Sequence, residues 1–479
     1  MANPDRLMAA GMSADLAGML GQQTATNLTA TGTTYNNAFV LITQNAFFST
    51  VPTGSGCLLP SSTAEPPYTV YNGGANALNV YPTTTQVING GAPGVPFVLG
   101  VGEVAVFTAA DNVGWLAVSA GSGLAATPLR YWRKAVANVR SGAGRGTVVV
   151  IGDSTSMGAG AGDSGTAALT NAYPYSFPSQ LAPLLNATVP TSFQNIFGGQ
   201  AGAGVLTYTA YDTRVTFGSG WTTNGGATLG STFFAYTNGS ASKLTFTPSA
   251  SFTRIKVWYY QNTGQGTLTV DVDGGASLGT INTSGSSLYT SQTFTCAAGT
   301  HTINLTAGNN GSLFIGGVVV WTAATPAIDL ILAGGYGTIA SSWAAPTTAF
   351  SPRTALQALA PDLTIYDLTI NDSNAGTNVA AYKASMELLI QAAQVSGDVV
   401  LMVGPPSNTT AATDGTLDLY VQALEQLAAT YGCLMLNIKQ RWVSYAVTDP
   451  ILPYYDNLHP ERQGYADIAQ AASVLLAVN

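Results

Sequence analysis

Only two histidines occur in the 479-residue chain, so any reaction that needs an imidazole must run through His301 or His459. His459 stands in Asp456-Asn457-Leu458-His459-Pro460, just ahead of the last helical pattern, and Ser154 stands in Ile151-Gly152-Asp153-Ser154-Thr155, directly after a β-branched run. A serine hydroxyl is a poor nucleophile at neutral pH and needs a base within hydrogen-bond reach, itself oriented by a third group. Asp456, three residues before His459, is placed to hold the ring's other nitrogen and fix its tautomer. The set predicts acyl transfer, with Ser154 as nucleophile, His459 as base and Asp456 as orienting partner. Each residue also has a plainer use: serine after a strand commonly caps a helix, and a loop histidine can cap one too. Their joint position at two ends of one α/β pattern favours the catalytic use.

His301, in Thr300-His301-Thr302-Ile303-Asn304-Leu305, reads as a surface residue of a β unit, with nothing near it in sequence to complete a triad. Asp153, Asp367 and Asp372 stand at strand ends and read as loop braces that accept backbone N–H groups. There is no histidine pair and no carboxylate cluster at ligand spacing, so neither a metal nor a cofactor is expected. Cys57, Cys296 and Cys433 fall in three separate segments, give no disulfide framework, and read as small buried residues.

The elements that must position these residues alternate strand and helix. The run 147–151 is uninterruptedly β-branched, as a parallel strand buried on both faces requires, and 129–139 before it reads as a helix. Further apolar runs at 328–332, 363–368, 399–403 and 434–438 alternate with helical patterns at 379–393, 417–431 and 462–477. Five strands with intervening helices predict an α/β fold with a doubly wound, mostly parallel sheet. Ser154 is expected to open a helix whose amides and dipole favour developing negative charge. His459 is expected in a loop passing the carboxyl ends of the strands, where such folds place ligands.

Between these halves, 212–321 reads as strand after strand. Ile255, Val257 and Tyr259 alternate with Lys256, Trp258 and Tyr260, and turn signals such as Asp273-Gly274-Gly275 separate the runs. An inserted antiparallel β-sandwich follows. Ahead of everything, 1–125 reads as a small β-rich module opened by a helical pattern at 5–20 and followed by a linker at 119–123. The expected organisation is therefore 1–125, 126–205 with 326–479 as one α/β domain, and 206–325 as the insertion.

Composition agrees with short strands and many turns. Only 8% of residues are charged and 54 are glycine. A net charge of -8 argues against nucleic acid, because phosphate neutralisation needs clustered lysine and arginine. The nearest cluster, Arg130, Arg133, Lys134, Arg140 and Arg145, reads as a solvated helix face. No signal peptide is read at the start, and the most apolar stretch, 315–332, is broken by Thr322, Thr325, Pro326 and Asp329, so no membrane span is expected.

These blocks resemble the SGNH hydrolase superfamily, also called GDSL esterases, and the flavodoxin-like sheet predicted above is similar to theirs. The matching residues are Gly152-Asp153-Ser154, then Pro361-Asp362-Leu363 through Thr369-Ile370-Asn371-Asp372, and Asp456-x-x-His459-Pro460, within about half of the chain. The resemblance implies a serine esterase whose oxyanion is held by the Ser154 N–H, the Asn371 side-chain amide and a glycine N–H. That glycine is Gly337, in Leu332-Ala333-Gly334-Gly335-Tyr336-Gly337, or alternatively Gly202, in Phe197-Gly198-Gly199-Gln200-Ala201-Gly202. Thr369 departs from the family, which usually has glycine there. The resemblance further implies removal of small acyl groups, O-acetyl foremost, from an acylated carbohydrate. Trp221, Trp258, Tyr259 and Tyr260 are candidate stacking faces for sugar, with the sandwich core as the competing use. The opening segment, Leu7-Met8-Ala9-Ala10-Gly11-Met12, is similar to virion-attachment segments of bacteriophage fibre proteins. That likeness implies a virion or extracellular-surface location, a homo-oligomer or virion partner bound through 1–125, and host surface polysaccharide as substrate. The competing reading is a non-catalytic structural or glycan-binding protein on a hydrolase scaffold.

Overall fold

The computed structural model describes residues 24–62, 67–89, 91–110, 114–120, 129–162, 167–198, 204–224, 226–237, 239, 241–345, 348–409 and 414–478. The helical pattern at 5–20, most of the 119–123 linker and Gly202 therefore lie outside the described residues. Two compact units divide the chain, Met1–Thr127 and Pro128–Asn479.

In the first unit the chain passes back and forth between two sheets. Thr24–Thr29, Asn45–Thr50 and Tyr68–Asn72 lie parallel in one, while Phe39–Val40, Gly56–Leu58 and Leu78–Tyr81 lie parallel in the other. Each passage stacks on the one before, as in a short coil; the antiparallel strand Phe97–Leu99 ends one sheet, and Val104–Ala110, Gly114–Ala120 and Val87–Ile88 extend the other. Phe48, Val70, Val80, Leu99 and Phe107 fill the space between them.

The second unit is built around six parallel strands. Their order is Thr191–Ser192, Ile328–Leu332, Gly146–Gly152, Leu363–Asp367, Asp398–Val403, Leu434–Asn437. The five expected strands are all present, and the sixth is the two-residue edge strand Thr191–Ser192, too short to register as a hydrophobic run. The pleat explains the unbroken β-branched sequence at the centre: Val148 and Val150 enter one core, Val149 and Ile151 the other. Arg130–Arg140, Phe177–Asn186 and Arg462–Leu475 cover the first face, and Pro352–Leu359, Val379–Ala393 and Asp414–Tyr431 the second. Each fully buried valine, leucine or isoleucine is worth about 1.5–3 kcal/mol, so a charge placed on either face of the central strand would unfold the sheet.

Two antiparallel sheets lie between the halves. One contains Trp221–Thr222, Phe234–Tyr236, Leu313–Trp321, Phe252–Gln261 and Leu288–Gly299, and the other Val215–Phe217, Lys243–Phe246, Ile303–Ala307, Thr267–Val272 and Gly279–Asn282. Ile255, Val257 and Phe234 meet Leu244, Val270 and Leu305 in one core between them. Antiparallel pairing already begins at Asn195–Phe197, which pairs with Leu313–Trp321. The alternate residues Trp258 and Tyr260 face the other way and pack into a core of the parallel sheet. Trp221, Trp258, Tyr259 and Tyr260 are all buried, so none offers an exposed stacking face for sugar. Cys57 is buried and Cys296 and Cys433 half-buried, all three as free thiols.

Candidate active site

The central strand Gly146–Gly152 has Ile328–Leu332 on one side and Leu363–Asp367 on the other, so the chain order reverses there. Open α/β sheets leave a crevice beyond the carboxyl ends at such a point. Ser154 lies two residues past the strand, in that crevice. It does not open a helix, contrary to expectation: residues 153–160 form successive turns, closed by Met157 N–H to the Asp153 carbonyl (3.2 Å) and Ala159 N–H to the Ser154 carbonyl (3.0 Å). Gly158 and Gly160 take φ of 78° and 88°, which interrupts helical propagation. No long helix dipole therefore stands behind the hydroxyl.

His459 and Ser154, 305 positions apart, meet at 2.8 Å between Nε2 and Oγ. Nδ1 lies 2.9 Å from Asp456 Oδ2. A carboxylate only accepts, so Nδ1–H donates to Asp456, and Nε2 is left to accept the Ser154 hydroxyl proton. Asp456 Oδ1 accepts two backbone N–H groups, from Leu458 (2.8 Å) and His459 (2.7 Å). Burial raises the Asp456 pKa, but the His459 ring and these N–H groups outweigh it and hold the carboxyl at about 2. The loop is fixed by Tyr455 N–H to the His459 carbonyl (2.9 Å), and by Tyr454 Oη–H to the Pro406 carbonyl (2.7 Å). Ser154 and His459 are both buried, whereas the Asp456 side chain is 43% exposed.

Of the two candidate glycines only Gly337 is among the described residues. It follows the parallel strand Ile328–Leu332, the direct neighbour of the Ser154 strand. Gly335 to Thr338 forms a turn closed by Thr338 N–H to the Gly335 carbonyl (3.2 Å). Gly337 occupies its third position with φ of 73°, where a type II turn requires a left-handed residue. Gly335 is spent as a donor, since its N–H binds the Gly152 carbonyl at 2.9 Å. The Tyr336 ring stacks on His459, with centroids 6.0 Å apart at 23°. Asn371, in the helical turn Ile370–Asn374, donates an Nδ2–H to the Thr338 carbonyl at 3.0 Å. The segment 336–338 thus joins His459 to Asn371 and carries Gly337 between them. Thr369 has φ of -121°, which any residue adopts, and its Oγ1 accepts the Gly404 N–H at 3.0 Å, so glycine is not needed there.

Below the crevice, Asp153 and Asp367 share Thr155 Oγ1, at 2.7 and 2.9 Å, and Ser156 Oγ–H donates to Asp367 at 2.8 Å. One hydroxyl proton cannot serve both carboxylates. Burial raises both pKa values, with the Asp367 charge adding to the effect on Asp153, and Asp367 is pushed up to about 6 despite the two hydroxyl bonds. The brace reading holds for Asp153, which accepts Thr155 N–H (2.8 Å), and for Asp372, which accepts Ala340 N–H (2.7 Å). Asp367 Oδ2 accepts the Thr155 and Ser156 hydroxyls instead. The stacking of Tyr336 on His459 and the pairing of Asp153 with Asp367 were not read from sequence, because each contact joins segments far apart in the chain. His301 lies away in the antiparallel region, with Nδ1 2.6 Å from Asp273 Oδ2. Among the described residues no group of three or more His, Cys, Asp or Glu could hold a metal ion, and no helix is long and apolar enough to cross a membrane.

A parallel sheet with a serine–histidine–aspartate relay at its switch point defines a candidate serine hydrolase. Residues 318–466 match the GDSL-like lipase/acylhydrolase family. The match includes Gly337, Asn371, Asp456 and His459 but not Ser154, which joins them only through the fold. A solved peptidoglycan O-acetylesterase has a similar structure, with TM-score 0.53 and 15% identity over 73% of this chain and 97% of its own. A family two carbohydrate esterase from Clostridium thermocellum is similar at TM-score 0.26 and 11% identity, over 55% of this chain and 97% of its own. The curated proteins give no match.

Proposed function

We propose that this chain is a metal-independent serine esterase that removes O-acyl groups, acetyl foremost, from carbohydrate. The observation that carries the reading is the continuous contact from Asp456 through His459 to Ser154, made by residues that folding alone gives no reason to bring together. Ser154 Oγ attacks the ester carbonyl carbon while its proton passes to His459 Nε2. The tetrahedral oxyanion is met by the N–H groups of Ser154 and Gly337 and by the second Nδ2–H of Asn371, whose first is held by Thr338. His459 returns the proton to the departing sugar oxygen, which leaves an acyl-Ser154. Water then attacks that ester with His459 again as base, releasing the acid and restoring the serine. Carbohydrate is supported as the substrate class by the fold shared with a peptidoglycan O-acetylesterase.

The test is hydrolysis of a chromogenic acetate ester, followed by acetate release from O-acetylated polysaccharide. Wild type is expected to turn over both, and Ser154→Ala to lose roughly 10³-fold or more in kcat on each. Equal rates for wild type and Ser154→Ala would dismiss the assignment.

A further inference from the structure

A small hairpin delivered by the intervening region reaches the rim of the relay. Its strands, Ala227–Thr228 and Ser231–Thr232, pair only with each other. Leu229 and Phe233 anchor it, both fully buried in the core that covers the second face of the parallel sheet. Its tip is locked by backbone contact: a Cβ on Gly198 would lie 2.2 Å from the Gly230 carbonyl oxygen, and one on Gly230 2.5 Å from that of Phe197. Ser231, left-handed with φ of 77°, sets its side chain against Gly335, where any Cβ would lie 2.6 Å from the serine Cβ. Gly335 begins the turn that carries Gly337. The hairpin is therefore seated rigidly on that turn.

Between the hairpin, the turn and the short helix Ala340–Trp343 lies a cavity of about 300 Å³. Asn224, Ser231, Thr232, Thr338 and Ser342 line it, with Trp343 buried at its base. The described lining residues bring hydroxyls and an amide beside the apolar Ala227 and Pro352, and no charge, while the Trp343 indole N–H is already held by Thr338 Oγ1. Such a mixed, uncharged wall suits a neutral sugar ring, whose hydroxyls can meet Ser231 and Ser342 and whose C–H groups can lie against Ala227. It would leave a uronate or phosphate without a counter-ion. Thr338 ties the cavity to the relay, since its carbonyl holds Asn371.

We propose that this cavity is a subsite for an uncharged sugar unit next to the one whose ester lies at Ser154. The proposal rests on the esterase reading above and adds the neutral, oligomeric character of the substrate.

The test compares kcat/KM for neutral O-acetylated xylo-oligosaccharides with that for a chromogenic acetate, in wild type, Ser342→Trp and Thr232→Val. Ser342 is exposed on the short helix, so an indole there fills the cavity without entering a core. The oligosaccharide-to-chromogenic ratio is expected to fall about tenfold in Ser342→Trp, chiefly through KM, and by a smaller factor in Thr232→Val. Calorimetric binding of the same oligosaccharide should weaken in parallel when each substitution is combined with Ser154→Ala. Unchanged ratios and affinities in both folded variants overturn the subsite, as does a fall confined to acidic oligosaccharides or long-chain esters. If wild type hydrolyses neither ester yet binds the oligosaccharide in a manner Ser342→Trp weakens, the subsite stands and the esterase reading falls.

Discussion

Replacing Asp456 by asparagine tests the relay at the point where geometry dictates the outcome. Oδ1 of Asp456 accepts two backbone N–H groups, from Leu458 and His459. An asparagine in the same place must keep its carbonyl oxygen there, because an NH2 group facing two N–H donors would strand both. Its NH2 is then forced into the Oδ2 position, 2.9 Å from His459 Nδ1. An NH2 can only donate, so Nδ1 must give up its proton, and the ring carries it on Nε2 instead. That tautomer points a donor at Ser154 Oγ, 2.8 Å away, and cannot take the hydroxyl proton. A wrong tautomer in a serine triad costs about 10⁴ in kcat, equivalent to about 5.5 kcal/mol of barrier. Asp456→Ala leaves the ring free to choose either tautomer and should lose less than Asp456→Asn. Steady-state hydrolysis of a chromogenic acetate at neutral pH reads both, with thermal melts to confirm folding. If Asp456→Asn proves the more active of the two, the oriented-tautomer account is wrong.

Two more substitutions probe the surroundings of the serine. Asn371→Ala removes a side-chain donor from the oxyanion and should lower kcat by about 10²–10³ with little change in KM. The lost bond to Thr338 costs only about 0.5–1.5 kcal/mol of stability, so a folded variant that keeps kcat within about threefold removes Asn371 from the mechanism. Asp153→Asn addresses the buried acids. Their folded pKa values stand above the ordinary carboxylate value of about 3.9, with Asp367 at about 6, so the folded state holds the extra proton. Stability from this source is fully present below about pH 4 and is lost as pH rises through about 6. An asparagine cannot ionise, so denaturant unfolding of the variant should decline less between pH 4.5 and 7.5 than that of wild type; parallel declines would contradict the shared-proton account.

What could be read from the chain alone follows from how locally each feature is encoded. The central strand was legible because burial on both faces writes itself as five consecutive β-branched residues. The Ser154–His459 pairing was legible because so few histidines compete for the role. The helix expected after Ser154 failed since Gly158 and Gly160 take left-handed conformations that stop it. The coil of the first unit was hidden because its rungs share a stacking register, Ala25 on Ala46 on Val70, but not a repeating sequence. The hairpin beside Gly335 was hidden for the opposite reason: its residues look like any turn, and their meaning lies in a contact made more than a hundred positions away.

The separation of Ser154 from the rest of the site in sequence costs the fold little, and the ladder shows why. Asn195–Phe197, where the chain leaves for the antiparallel region, is hydrogen-bonded to Leu313–Trp321, where it returns, with Phe197 opposite Gly317. Entry and exit are thus clamped side by side, and loop-closure entropy grows only slowly with the length enclosed. Beyond the clamp, Ile328–Leu332 pairs with Gly146–Gly152 in register, Val150 against Leu332, and the pairing continues through Ala333 N–H to the Val150 carbonyl and Gly335 N–H to the Gly152 carbonyl. These bonds set the height of the Gly337 turn relative to Ser154, whatever is threaded between the two strands. The intervening region can therefore present a hairpin to the substrate without disturbing the relay, because the relay's geometry is fixed by the sheet and the hairpin's by its own anchors, Leu229 and Phe233.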